Sequence, residues 1–423
     1  MIEADLILFN TSQVHTCASQ GKPKKGITMS DTGAIEQGAI AIRDGLILEV
    51  ASQSDINKRY ESSKKLDVGG MAVCPGFIDP HTHIVFAGNR INEFEQRVSG
   101  STYLEIMAAG GGIMSTARSV REASIANLVE QSLPRLQKMT EYGLTTIEIK
   151  TGYGLDLPSE MKMLQAIEQL ADLSPVTILP TFLGAHAIPT ELKTEPETYV
   201  SLVIKEMLPK AMEWFKGSSF FQKGLPFFCD VFCEQNAFTL EQSTRILTEA
   251  KNFGYMIKIH SDEFTSLGGI GLGIDLGAMS VDHLDVATVD DQDRLSMSET
   301  VGVLLPGVNF NLGSSHFADG RGMIDRGCAI ALSTDINPGS CPSPSLPLMM
   351  AIASRYQKLT PAEALNACTI NAAFAVGVGK MCGSLEKGKL ADLVVLNQPD
   401  FRYLSYEFGA NPVKYVLKKG VLI

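Results

Sequence analysis

The segment Phe77-Ile78-Asp79-Pro80-His81-Thr82-His83-Ile84 decides how this chain is read. An apolar run leads into two histidines one residue apart, and side chains at i and i+2 of an extended strand share one face. Both imidazoles then point into one cavity and can close on one cation, because neutral imidazole is a common ligand for zinc and iron. The chain has only seven histidines, so placing two of them at one strand end makes metal chemistry the leading reading.

Further apolar runs end near Ile149, Pro180, Cys233, His260, His283, Leu305 and Ser333, with helical patterns between most of them, at 122–141, 158–171, 240–253 and 289–298. Strands alternating with helices predict parallel βαβ units, and a count of eight predicts a (β/α)8 TIM-type barrel over 71–382. A doubly wound open sheet is the alternative. Gly110-Gly111-Gly112 does not support it, because it lacks the strand–turn–helix setting of a dinucleotide loop. The stretch 182–224 reads as a long loop holding a helical segment around Trp214, a candidate lid or interface.

The two ends have a different texture. Short β-runs at 4–9, 38–42 and 46–50, the last two joined at Asp44-Gly45, are matched by runs at 390–396 and 413–421. Residues 1–70 and 383–423 are therefore expected to build one small β-sandwich from both termini. The lysines of 20–26 read as a solvated loop tip.

At 423 residues, 45% hydrophobic and 20% charged, the chain reads as globular and able to bury a large core. Its 36 basic against 47 acidic residues give a charge of −11, which argues against nucleic acid or an anionic membrane as partner. The start, Met1-Ile2-Glu3-Ala4-Asp5-Leu6, is acidic where a secretory signal is basic, and no run approaches the roughly 18 apolar residues of a membrane span. Eight cysteines form no dense framework, and Cys229 and Cys233 read as core residues of one strand. Reduced thiols and a cytoplasmic location are the expectation.

A barrel of this kind carries its active site at the C-terminal ends of the strands. There the sequence places His81 and His83 (strand 1), His260 (strand 5), His283 (strand 6) and Asp335 (strand 8). Three imidazoles, from His81, His83 and His260, and the Asp335 carboxylate give a divalent ion four ligands and room for water. Glu263, three residues past His260, is placed as a proton shuttle, with a helix-start acid as its plainer reading. His283 is placed to hold an oxyanion or orient water, or else simply to bond Asp282 or Asp285. Glu234, at the end of strand 4, is a lesser candidate for recruiting a second metal.

With these residues in place, the chain resembles the amidohydrolase superfamily, in the branch with one metal held by His-x-His, a strand-5 His and a strand-8 Asp. Within it the loops resemble the imidazolonepropionase family, over nearly the whole chain. The likeness is carried by 77–90, 103–117, Glu148-Ile149-Lys150-Thr151-Gly152-Tyr153-Gly154-Leu155, Thr181-Phe182-Leu183-Gly184-Ala185-His186 and Ser333-Thr334-Asp335-Ile336-Asn337-Pro338-Gly339-Ser340.

The resemblance implies a small β-sandwich beside the barrel and hydrolytic opening of 4-imidazolone-5-propanoate to N-formimidoyl-L-glutamate. It also implies one Zn2+ or Fe3+ per subunit, and a homodimer. Arg90 would bind the substrate propionate, and Tyr103, Tyr153, His186, Glu263, Asn337, Gly339 and Ser340 would line the substrate. Glu263, His283 and Asp335 would carry the proton transfers and oxyanion. Lys150 falls on strand 2, whereas the metal-bridging lysine of related enzymes lies on strand 4, so it is read as supporting the Tyr153 loop. An aromatic-base or guanine-type deaminase on the same metal site is the rival; it would need no Arg90 clamp. A non-catalytic scaffold of the same fold is the other alternative.

Overall fold

Eight short parallel strands follow one another in chain order: Phe77–Asp79, Leu144–Lys150, Thr177–Ala185, Phe228–Cys233, Met256–Ser261, Ser280–His283, Val301–Leu304 and Ile330–Leu332. Each pairs with the next. With helices between them they build the (β/α)8 barrel expected from the sequence, numbered here as barrel strands 1 to 8. The computed structural model describes residues 1–101, 105 and 110–423. Tyr103 therefore lies outside the described residues.

Local chemistry sets the helix ends. The helix Leu157–Leu173 starts where the Asp156 carboxylate accepts from Ser159 N at 2.8 Å, with proline in the first turn. Reciprocal capping pairs, Thr239 with Gln242 and Thr288 with Asp291, start the helices Leu240–Phe253 and Val289–Met297. The helix predicted over 122–141 is one helix that starts three residues later, and a separate helix precedes it. Ile113–Glu122 ends at an extended Ala123, and the Ser124 hydroxyl caps a new helix, Ile125–Glu141. Barrel strand 3 runs five residues past Pro180, and 182–224 is mostly helix rather than loop. There Trp214 packs on the core, with its ring 5.8 Å from that of Phe227.

Barrel strand 1 stops at Asp79, before both histidines, because Pro80 has no N–H to continue a ladder. The chain beyond it remains held on both sides. Lys150 N donates to Thr82 O at 2.9 Å, and His83 N donates to Ile336 O at 3.0 Å. Barrel strands 8 and 1 meet through the fully buried Asp79 carboxylate, which accepts from Ser333 Oγ, from Thr334 N at 3.3 Å and from Thr334 Oγ1 at 2.6 Å. Burial pushes the Asp79 carboxyl up to about 6 against those hydrogen bonds. One carboxylate thus joins the last strand to the first beneath the two histidines.

Both termini contribute to a second sheet, in the order Val421–Leu422, Val413–Lys418, Leu393–Leu396, Lys65–Pro75, Leu6–His15, Gly38–Arg43 and Leu46–Ser52. Its hairpin turn at Asp44-Gly45 has both residues at positive φ, 53° and 74°, the type I′ geometry that Asp-Gly favours. Lys24, expected on a solvated tip, is buried. Its backbone exchanges hydrogen bonds with the Asn371 amide (2.7 and 2.9 Å), tying the loop to the barrel. Among the described residues, no helix is long and apolar enough to cross a membrane.

Asp79→Ala is expected to cost about 3 kcal/mol by leaving two hydroxyls and an amide unpaired in the core. Urea denaturation measures it; a loss below about 1 kcal/mol would mean that packing alone closes the barrel.

Candidate active site

The strand pleat delivers a layer of polar side chains into the barrel. On barrel strand 2, Glu148 and Lys150 stand two residues apart; on strand 5, Lys258 and His260; on strand 6, Ser280 and Asp282. Asp230 of strand 4 and His81 complete the layer. Glu148, Lys150, Asp230, Lys258, Asp282 and His81 are all 0% exposed. Isolated charges at such depth would cost several kcal/mol each, so they survive only in pairs. Lys150 Nζ lies 2.7 Å from Glu148 Oε1 and 2.8 Å from Asp230 Oδ2, and Lys258 Nζ lies 3.5 Å from Asp282 Oδ2. Burial lowers the Lys150 pKa, but Asp230, Glu148 and Asp282 outweigh it and raise it above the ordinary lysine range. Lys150 therefore reaches into the barrel and does not support the Tyr153 loop, as the sequence suggested.

This layer carries the imidazoles. His81 Nδ1 lies 2.6 Å from Asp282 Oδ2, and His260 Nδ1 lies 3.0 Å from Asp230 Oδ2. The Asp282 carboxylate at His81 Nδ1 keeps the proton there and turns Nε2 outward as a donor to metal, while Asp230 stands beside His260 Nδ1 without a well-aligned hydrogen bond. Burial holds His81 and His83 well below the ordinary histidine range, which favours the neutral form that ligates.

The outward atoms converge. Donor atoms of His81, His83 and His260 lie within 4.8 Å of one another. His83 Nε2 is 3.4 Å from His260 Nε2, and Asp335 Oδ1 is 3.5 Å from His81 Nε2 and 3.4 Å from His83 Nε2. Ligands at roughly 2.0–2.1 Å around a tetrahedral ion stand about 3.4 Å apart, so the spacing suits one ion. His81 Nε2 and Asp335 Oδ1 are buried yet have no hydrogen-bond partner among the described residues, which also fits a metal.

Around this cluster, His283 Nδ1 lies 3.7 Å from Glu263 Oε2. Asp282 turns to His81, so the plainer reading of His283 as its partner does not hold. Burial, then the charges of Asp335, Asp285 and Glu234, raise the Glu263 carboxyl well above its ordinary range. Several non-glycine residues at these strand ends take left-handed backbone: Asp262 (φ 57°), His283 (88°), Leu284 (66°) and Asp335 (47°). Such conformations cost about 1–3 kcal/mol each and cluster where side chains must be aimed.

His186 stacks on His83 with centroids 5.1 Å apart, and Tyr153 lies 5.4 Å from His186 and 5.8 Å from His83. His186 Nδ1–H donates to Gly152 O at 3.0 Å, leaving Nε2 as an acceptor; burial lowers its pKa to about 3. Gly152, at φ 106°, must be glycine, because a Cβ there would stand 2.9 Å from His186 Nδ1. Asn337 is spent inside its own loop. Its amide donates to Asp335 O, Asp335 Oδ2 and Ser340 Oγ, and its carbonyl accepts from Gly339 N and Ser340 N. Arg90 lies against the same loop, its NH1 where a Gly339 Cβ would collide with it.

Sequence reasoning missed the supporting residues. Glu160 accepts from Gly152, Gly154 and Leu155 N, at 2.8–3.1 Å, and so holds the Tyr153 loop. Glu234, a lesser candidate for a second metal, accepts from Phe264 N (2.9 Å), Thr265 N (3.1 Å) and Thr265 Oγ1, fixing the loop that carries Glu263. The signal for the buried layer was present as charges two apart within apolar strands.

A model of the amidohydrolase family matches residues 233–423. An imidazolonepropionase of Chloroflexus aggregans is 49% identical over 423 residues, covering 100% of this chain and 99% of its own. Another, of Geobacillus kaustophilus, is 44% identical, covering 97% and 95%. Among solved structures, an adenosine deaminase from Xanthomonas campestris with bound zinc has a TM-score of 0.73 at 16% identity, covering 100% of this chain and 93% of that one. Guanine deaminase from E. coli has a TM-score of 0.69 at 15% identity, covering 99% and 98%. At such identity the likeness is one of fold. The family match and the three-imidazole cluster together mark a divalent metal site.

Asp282→Asn is expected to leave the chain folded and to weaken metal binding by about 10- to 100-fold. Competition with a chelator measures this; unchanged affinity would show that His81 needs no partner.

Proposed function

The chain belongs to the imidazolonepropionase family of the amidohydrolases, and from that premise we propose that it opens the ring of 4-imidazolone-5-propanoate by hydrolysis, giving N-formimidoyl-L-glutamate in histidine degradation. The observation that carries the reading is a guanidinium, Arg90, resting on the loop that begins with the fourth donor, Asp335. A substrate with a carboxylate a short chain away from a hydrolysable ring needs that combination. A neutral purine or pyrimidine base does not.

His81, His83, His260 and Asp335 would hold one Zn2+ or Fe3+; imidazole and carboxylate serve either. When bound, such an ion acidifies water toward about pH 7 and polarises a carbonyl. The chain's own groups supply the rest. Glu263 accepts the proton of the attacking water and returns it to the departing ring nitrogen, with Asp335 able to share the first transfer. The water oxygen bonds to the ring carbonyl carbon, the C–N bond breaks, and the carbonyl becomes a carboxylate. His283 would stabilise the oxyanion of the tetrahedral carbon, and its position 3.7 Å from Glu263 supports this role. Arg90 takes the propionate by a charge-assisted hydrogen bond. Tyr153 and the acceptor Nε2 of His186 orient the ring. Gly339 admits the Arg90 guanidinium, and Asn337 and Ser340 act through the loop they hold. Tyr103 is kept as a substrate contact from the resemblance. All eight cysteines are free and buried, which supports a reducing, cytoplasmic setting. A homodimer is proposed from the resemblance alone.

The purified, metal-loaded chain is expected to convert freshly prepared 4-imidazolone-5-propanoate to N-formimidoyl-L-glutamate. Release of ammonia from guanine without ring opening would replace this reading with the deaminase. Glu263→Gln should keep its metal and lose about a hundredfold or more in kcat; near-normal turnover would remove Glu263 from the mechanism. Gly339→Ala should fold normally and raise KM, because a methyl there displaces the Arg90 guanidinium; an unchanged KM would separate that contact from substrate capture.

A further inference from the structure

The Arg90 guanidinium is not free in the structure. Its Nε and NH2 both donate to Glu93 Oε2, at 2.8 and 2.7 Å. Both side chains are largely buried, 15% and 14% exposed, although no residue of the helix Ile91–Val98 that carries Glu93 is fully buried. Glu93 also accepts from Gly112 N, at 3.2 Å to each oxygen, so it ties Arg90 to the following loop. A guanidinium offers five N–H groups in a planar fork, and Glu93 takes only the edge made by Nε and NH2. The opposite end, NH1, faces Gly339.

We propose that Glu93 is a positioning residue for substrate capture. By holding one edge of the Arg90 guanidinium, it leaves the NH1–NH2 end free to take the substrate carboxylate. This rests on the reading of Arg90 as the propionate-binding group. One guanidinium can serve two carboxylates on two edges, so Glu93 stays in place when substrate binds. Held in this way, Arg90 does not have to be ordered again at each binding event. The charge balance allows it. Arg97, one turn along the same helix, lies near enough for its pKa to be lowered by burial and by Arg90 while Glu93 pulls it up. Arg97 thus adds a second cation beside the Arg90–Glu93 pair.

The test is steady-state kinetics of Glu93→Gln, an isosteric change on an open helix. KM is expected to rise about tenfold with kcat changed less than about twofold. The rise should vanish for a substrate whose propionate is replaced by the uncharged propionamide, and Glu93→Gln should add nothing to Arg90→Ala. A fall in KM would overturn the proposal, since Glu93 would then be competing with substrate for Arg90. An unchanged KM in Glu93→Gln with a raised KM in Arg90→Ala would also overturn it, leaving the reading of Arg90 intact. An unchanged KM in Arg90→Ala would remove that reading, and this inference with it.

Discussion

The rest of the structure depends on the pairing of charges inside the barrel beneath the imidazoles. Lys150 and Lys258 stand fully buried among Glu148, Asp230 and Asp282, and two of those carboxylates end on the Nδ1 atoms of His260 and His81. Removing one partner leaves a less compensated charge at 0% exposure, so each pair in the array supports its neighbours. An apolar filling would make an equally good barrel core. The ionic layer gives instead a fixed direction to Nε2 of His81 and sets a carboxylate beside His260, and so helps prearrange a donor set for an ion.

The same economy extends to the rim. Asp79 joins strand 8 to strand 1 directly under His81 and His83, Glu160 clamps the Tyr153 loop, and Glu234 clamps the loop carrying Glu263. Each is a carboxylate satisfying backbone N–H or hydroxyl donors that short loops leave unpaired. These clamps allow the strained backbone at Asp262, His283 and Asp335, because the surrounding bonds determine where those residues sit.

Much of this was legible in the sequence, and for physical reasons. The strand count and order followed from apolar runs, and the ligand candidates from histidines and an acid at the ends of those runs. Strand 1 was read too long because Pro80 ends its ladder while the chain stays held to its neighbours. The helix over 122–141 begins three residues late because the Ser124 hydroxyl caps it at Ile125. Lys150 was assigned to the wrong neighbour, since a pattern along one strand does not name the partner across the barrel. The plainer alternative paired Asp282 with His283, but Asp282 bonds His81, and the left-handed backbone at His283 (φ 88°) turns its ring toward the same histidines.

Among the described residues the barrel mouth offers one set of donors for an ion, on His81, His83, His260 and Asp335. Glu234 is consumed by backbone donors and Lys150 by carboxylates, so neither is free to recruit a second. The direct measurement is a titration of the metal-stripped chain with Zn2+ or iron, following bound metal and ring-opening activity together. Both are expected to saturate at one ion per chain. Activity that appears only with a second bound ion would contradict the account.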